Sequence, residues 1–487
     1  MIAWTIYLTF IGALVALLAP GVAARWIALV TTISGFAISL LAFVDITDPG
    51  LFQTITRREW VPLLGMEYHL AADGISLTLC VVTGLTAACA VLFSWDVERR
   101  SNEFFFWLLL AVAGSYGVFL SADLFLFFVF YEVVIVPKYF LIAIWGSTNK
   151  EYGAMKLTLY SFLGGALVMI GIIAIYVTAG KESVATSLNI QELARFPIAA
   201  SVQAWVFPVL FLGFAILGGI WPLHTWAPTG HVAAPTAGSM LLAGIVMKLG
   251  AYGALRIAMN LLPAGFAIWR DWIVIAAVIG ILYAPAVALR QRDLKFVIGY
   301  SSVSHMGFVL LGLGSATALG AGGAVLQMFS HGVIGALLFA IAGMVYRRAH
   351  TRDLDALSGM ALNRALPFAA FSFVIASAAS MGIPGFSGFA AEITILIGTW
   401  KNYPHAVWIT GIGMVLVAAF TLRALKTSFF GEQTRTAADA PALLAITAAE
   451  KIGAVALMFS TLAVGIYPKF LLDRIMPAVE QLTFLQP

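Results

Sequence analysis

Apolar runs about as long as a lipid bilayer is thick recur along this chain from one end to the other. A hydrocarbon core of ~30 Å takes about 20 residues of helix to cross. Every backbone N–H and C=O inside it must be satisfied within the protein, so repeated runs of this length predict a bundle of helices. Bounded by charges and by Pro/Gly clusters, the runs fall near residues 2–19, 26–46, 76–94, 104–120, 124–145, 157–178 and 203–230. They continue at 237–258, 271–291, 297–315, 322–346, 367–400, 405–427 and 450–468. Numbered in order, these are helices 1 to 14. Charged residues make up 10% of the chain, against roughly a quarter in an ordinary soluble domain. No polar stretch is long enough for a separate globular domain, so the expectation is one polytopic, all-α membrane domain over 1–487. The first run has no basic residue before it and no small-residue cleavage site after it, and reads as a retained helix.

Orientation follows from the basic residues, which accumulate in cytoplasmic loops. Loops after odd-numbered helices hold sixteen of them, Arg25, Arg99, Arg100, Arg347, Arg348 and Arg435 included. The other face holds nine, among them Arg57, Lys181, Arg195, Arg256 and Lys401. Both termini are therefore expected on the outer side. The formal charge of +4 is assigned to this asymmetry and not to a nucleic-acid partner. Cys80 and Cys89 share one apolar run and read as small core residues. The loop at 47–70, which leads into Glu67–Gly74, is expected to fold back on the helices.

Two helices carry breakers in their middles. Gly218-Gly219-Ile220-Trp221-Pro222 interrupts helix 7, and Gly382-Ile383-Pro384-Gly385 interrupts helix 12. Paired interruptions in corresponding halves of a transporter mark its transport site. The five-helix separation suggests two repeats, helices 4 to 8 (about 104–258) and 9 to 13 (about 271–427).

Charged groups deep in such runs are few. On insertion scales each costs ~3 kcal/mol at mid-membrane and far more in calculation, so each is a functional candidate by default. Glu132 lies within helix 5, Lys248 within helix 8, and Glu392 just past the break in helix 12. Burial drives carboxyls and amines toward neutrality, and a Glu and a Lys near each other switch one another's charge. The competing structural readings are a static ion pair for Glu132 and Lys248, and a helix-terminus anion for Glu392. His224, His231, His305 and His331 fit the same line, because imidazole titrates nearest neutrality without help. A histidine satisfied within the core is the alternative for any one of them. A metal site is disfavoured, since there is no HExxH pair and no cysteine cluster. Lys138 follows Pro137 and lies about 240° around an ideal helix from Glu132. The expectation is that it snorkels to an interface; the alternative is that the Pro kink aims it at a neighbouring helix. Asp123 reads as a cap or entrance residue, and Lys295 as an anchor at the start of helix 10. No nucleotide, flavin or iron–sulfur motif is visible, so redox chemistry is expected on other chains.

Local sequences carry a resemblance over nearly the whole chain. Asp123–Glu132 with Val136-Pro137-Lys138-Tyr139-Phe140-Leu141-Ile142, Pro222–Pro228, His231–Gly238, Lys248–Gly253, Tyr300–Phe308, and Gly382–Gly385 leading to Glu392 resemble the chain M family of bacterial NADH-quinone oxidoreductase. These are the antiporter-like, proton-pumping membrane subunits of respiratory complex I. The resemblance implies fourteen helices in two inverted five-helix repeats with broken helices 7 and 12, and a polar axis at mid-membrane. It implies that Glu132 regulates charge pairing, that Lys248 is central and that Glu392 ends the line. It also implies NADH, FMN, iron–sulfur clusters and quinone on partner subunits, L-, N- and K-like chains as neighbours, and the bacterial inner membrane as location. An acid at Glu392, where L and N chains and Mrp-type antiporter subunits usually carry lysine, favours chain M over them. An Mrp-type or membrane-bound hydrogenase subunit, or a largely structural subunit with impaired pumping, is the alternative.

Two positions depart from the family's pattern. The helix 7 lysine usually found thirty-one positions before Lys248 is Leu217 here, and the aspartate usual at Thr229 is missing. Glu132 then pairs with Lys138 or Lys248 through shifted geometry, or stays protonated for want of a cation, or the subunit serves mainly as a spacer.

Overall fold

The computed structural model describes residues 1–182, 187–431 and 443–486, the side chains of Lys181 and Glu182 apart. Of the residues used for orientation, Arg435 and the side chain of Lys181 lie outside the described residues. Each of the fourteen runs is helical. Helices 1 to 4 occupy Trp4–Leu18, Gly21–Asp45, Gly74–Leu92 and Ser101–Leu120. Helix 5 is Leu124–Trp145, stepped at Val134, and helix 6 is Lys150–Glu182. Helix 7 is split into Ala200–Gly218 and Trp226–Ala233. Helices 8 to 11 are Thr236–Met259, Pro263–Ala288, Leu294–Gly314 and Ala318–Ala349. Helix 12 is split into Pro367–Ser380 and Ser387–Trp400, and helices 13 and 14 are Pro404–Phe429 and Ala448–Ile466.

The two breaks have the same backbone chemistry. In helix 7, Gly219 takes φ 66°, its N–H bonds Ile216 O, and the N–H of Ile220 reaches back to Ala215 O. In helix 12, Gly382 takes φ 68°, its N–H bonds Ala379 O, and the N–H of Ile383 reaches back to Ala378 O. Each first half thus ends in a Schellman cap, which satisfies its last carbonyls, and a glycine supplies the left-handed residue the cap requires. A proline follows within three residues and bars continuation.

Helix 8 is buried from Ala237 to Met259, whereas helix 2 leaves Val22, Trp26, Val30 and Ile33 on the outside. Helix 8 also loosens twice to π-helical bonding, over Leu242–Val246 and Ala254–Met259, which the sequence did not signal. Lipid tails are as apolar as leucine, so close approach between membrane helices depends on small residues. Gly250 is the clearest case. A Cβ there would collide with Phe214 O and Gly218 N, at the point where helix 8 crosses the end of the first half of helix 7.

The loop between helices 2 and 3 folds back as expected, as an antiparallel hairpin of Gln53–Val61 and Met66–Ala72. Polar contacts bind it to neighbouring elements: Arg57 pairs with Glu67 and Glu192, and the Asn189 amide meets His69 Nδ1 at 2.9 Å. Burial holds the His69 imidazole below its usual pKa, with Arg57 adding to the effect. Asp123 caps helix 5, accepting from the N–H groups of Phe125 and Leu126 at 2.9 Å and of Glu67 at 3.2 Å. Burial pushes its carboxyl up to about 6 against the opposing pull of those donors. An amphipathic helix, Lys469–Glu480, lies on the same face with Leu471, Ile475, Ala478 and Val479 buried; the search for apolar runs passed over it.

Gly250→Val should wedge helices 7 and 8 apart at a cost of at least the 1–3 kcal/mol of ordinary overpacking. A Cβ at Gly411, in helix 13, meets nothing within 4 Å. Thermal unfolding in detergent should therefore show a clear loss for Gly250→Val and none for Gly411→Ala.

Candidate functional site

Lys248 sits in the middle of helix 8 with no solvent exposure. Its ammonium donates to the carbonyl of Ala243, within the first π-helical stretch, and lies 2.9 Å from His331 Nδ1 on helix 11. The His331 ring faces His305 of helix 10, with centroids 5.4 Å apart. His305 Nδ1 lies 3.5 Å from Glu392 Oε1 on the second half of helix 12, and 3.3 Å from Gln327 Nε2. Its other nitrogen, Nε2, meets Ser380 Oγ at 3.1 Å, at the end of the first half of helix 12. Four of the eight candidate side chains therefore form one line, Lys248–His331–His305–Glu392, across helices 8, 11, 10 and 12. The break in helix 12 makes room for its end: a Cβ at Gly382 would stand 2.6 Å from Glu392 Oε2.

The other four candidates stand off this line. Glu132 Oε1 is buried without a hydrogen-bond partner, pressed against helix 6 where a Cβ on Gly165 would strike it. Among the described residues Glu132 forms no ion pair, so direct pairing with Lys138 or Lys248 is not seen. Lys138 does not snorkel. It is 4% exposed, its Nζ has no hydrogen-bond partner, and it lines a cavity of ≈10 Å³ with Ala111 of helix 4 and Gly238, Leu241 and Val246 of helix 8. With Pro137, Leu141 and Ile142 it lies on the buried flank of the second half of helix 5. His224, between the halves of helix 7, packs edge-on against Tyr283 and Tyr300, and neither ring nitrogen has a partner. His231 stacks on Phe339 at 4.3 Å, again with both nitrogens unpartnered. Leu217 is buried, and the hydroxyl of Thr229 lies 3.4 Å from Lys156 Nζ.

Lys295, read as an anchor at the start of helix 10, is 3% exposed, and its Nζ reaches Ala234 O at 2.8 Å and Ser239 Oγ at 3.3 Å, where helix 7 gives way to helix 8. Sequence reasoning missed two polar neighbours of the line, Gln327 and Ser380. Gln327 lies four residues before His331, a spacing that puts both on one face of helix 11 and could have revealed it. Ser380 had no signal beyond its place beside the break.

His305 Nδ1 stands between the Gln327 amide nitrogen at 3.3 Å and the Glu392 carboxylate at 3.5 Å. At the other end of the line the Lys248 amine faces His331 Nδ1.

Broken helices beside a buried line of ionisable side chains are the marks of a transporter-like membrane protein. The family model described as "NADH:quinone oxidoreductase/Mrp antiporter, TM" matches residues 121–418. Subunit M of NADH-quinone oxidoreductase from Rhodobacter capsulatus is 36% identical over 468 residues, covering 94% of this chain and 90% of that one. Chain 4 of the NAD(P)H-quinone oxidoreductase of Gloeobacter violaceus is 34% identical over 488 residues, covering 98% and 91%. A chain in the structure of respiratory complex I from Thermus thermophilus with bound NADH superposes with a TM-score of 0.90 at 25% identity, over the full length of both. A chain of the Mrp complex from Dietzia superposes with a TM-score of 0.86 at 21% identity, over 99% of this chain and 97% of that one, a likeness of fold alone. The chain belongs to the NADH:quinone oxidoreductase/Mrp antiporter transmembrane family.

His305→Leu should interrupt the line and lower proton translocation by the reconstituted complex severalfold. Ser380→Ala removes only the partner of the outlying Nε2 and should change it little. Equal effects from the two would mean that the line is not the path.

Proposed function

We propose that this chain is the M-type, antiporter-like membrane subunit of a complex I-type NADH-quinone oxidoreductase, and that it translocates protons along Lys248, His331, His305 and Glu392. The observation that carries the reading is that these four side chains, each on a different helix, form one buried line ending beside a helix break. Electron transfer from NADH to quinone takes place on other subunits, which hold the FMN and iron–sulfur clusters, and L-, N- and K-like chains flank this one in the membrane. The chain lies in the bacterial inner membrane with both termini outside. Helices 4 to 8 (about 104–258) and 9 to 13 (about 271–427) form two repeats. Successive spans alternate in direction, so an offset of five helices makes the repeats inverted; the matching caps of helices 7 and 12 support this correspondence. A reporter enzyme that is active only after export should be active when fused to the C-terminus, and an inactive fusion would reverse the orientation.

In the first repeat, Lys138 supplies the cation that position 217 lacks. A buried ammonium without a partner is costly, and a cavity of ≈10 Å³ beside it has room for about one water. Water and the histidines then bridge Lys138 to the axis at Lys248, while Glu132 keeps its regulatory place against helix 6. Lys138→Met should lower pumping by the reconstituted complex, and adding Leu217→Lys should restore part of it. Unchanged pumping in Lys138→Met would remove Lys138 from the mechanism. Unchanged pumping in Lys248→Met would remove the axis altogether and leave the chain as a spacer between pumping neighbours. Purification of the assembled complex tests the family alternatives: quinone-reductase peripheral subunits support this reading, and small antiporter subunits or a nickel–iron hydrogenase replace it.

A further inference from the structure

On the face that carries both termini, a cavity of ≈280 Å³ opens between the hairpin, the end of helix 8 and the segment after the amphipathic helix. Its walls include Gln191, Asn260, Gln481 and Thr483, and it reaches inward to Asp73 and Arg256. Asp73 is 1% exposed and Arg256 4% exposed, and they form an ion pair between the N-cap of helix 3 and the second π-helical stretch of helix 8. Among the described residues Asp73 is the only carboxylate lining the cavity. Its Oδ1 is already engaged by the N–H of Ser76, while Arg256 holds Oδ2. The Nε of Arg256 is buried with no hydrogen-bond partner, and its guanidinium lies over the rings of Phe52 at 4.5 Å and Tyr252 at 5.5 Å.

Helix 8 places these groups in register with the axis. Lys248, Tyr252 and Arg256 follow one another at intervals of four, which stacks them along one side of the helix. Eight residues of helix span roughly 12 Å, close to half of a ~30 Å hydrocarbon core. The cavity thus brings the aqueous phase to one end of a stripe whose other end is the fully buried lysine. An ion pair at the floor and walls of Gln191, Asn260, Gln481 and Thr483 give the cavity the polar lining that a water-filled vestibule needs. Thr483 ties the segment after the amphipathic helix to the end of helix 8, its backbone N–H donating to Asn260 Oδ1 at 2.9 Å.

We propose that this vestibule is the outer aqueous terminus of the proton route, that Asp73 and Arg256 form its gate, and that it communicates with the axis along helix 8 to Lys248. This rests on the reading of the axis given above. The test uses the intact complex carrying Gln481→Cys or Ala194→Cys, on two walls of the vestibule. Arg58→Cys, exposed on the neighbouring hairpin strand, serves as control. Each is treated in detergent with a bulky, permanently cationic thiosulfonate, so that both faces are accessible, and then reconstituted. Modification of either wall should lower protons moved per electron pair severalfold while quinone reduction continues, and modification at position 58 should not. Complete modification verified by mass, with the proton yield unchanged at both walls, would overturn the proposal. Loss of pumping in Lys248→Met alongside that result would show that the axis stands and the vestibule is not its outlet; retention in both would show that the axis itself had failed.

Discussion

Lys248 sets the terms for the rest of the molecule. An ammonium at mid-membrane costs ~3 kcal/mol even on the most lenient scale, so it has to be enclosed by protein and given acceptors. Helix 8 is accordingly buried along almost its whole length, with helices 3, 10 and 11 drawn in around it. Its π-helical stretch brings the Ala243 carbonyl to the ammonium, and helix 11 supplies His331. Glycine at 250 lets the first half of helix 7 come to backbone contact on the other side. A π-helical turn is rare in soluble proteins and concentrated at functional sites, and here two of them bracket the lysine.

The break in helix 12 answers the same demand at the far end of the line. A continuous helix presents side chains only along its flank, because its backbone groups are all paired within it. Interrupting it exposes the space above Gly382, into which Glu392 turns, and brings Ser380 against His305. The Schellman caps let the chain do this without abandoning carbonyls in hydrocarbon. The irregular backbone thus serves the polar line on its inner side, while Pro222, Ile383 and Pro384 face outward.

How much of this was legible in the sequence depended on the kind of signal. Span count and order were readable because membrane thickness sets a length that no soluble helix needs. The breaks were readable because Gly and Pro act locally. The line Lys248–His331–His305–Glu392 was readable as a set, since each member violates the hydrophobic rule of its own helix. Which members touch was not readable, because contacts between helices 8, 10, 11 and 12 depend on helix rotation. His224 and His231 looked equivalent to His305 and His331, yet they sit among aromatic rings off the line. Lys138 was misjudged for a related reason: whether a lysine reaches an interface depends on the neighbours that enclose it, here helices 4 and 8, which its own helix does not reveal. The π-helical stretches and the amphipathic helix left no mark in a search for apolar length.

The two halves of the molecule are not equally built. The second carries His331, His305 and Glu392 in one series with Lys248 of helix 8, although His331 Nε2 has no hydrogen-bond partner, whereas the first has in Glu132 and Lys138 a carboxylate and an ammonium that each lack one, with leucine at 217. Paired charges fix one another, and removing one partner strands the other at a cost of several kcal/mol. A buried carboxylate with no cation near it carries that cost, and neutral substitution would relieve it. Here Glu132 stands with Lys138 six residues away on the same helix. Among the described residues the two form no ion pair, and a static strut is the arrangement that would need one.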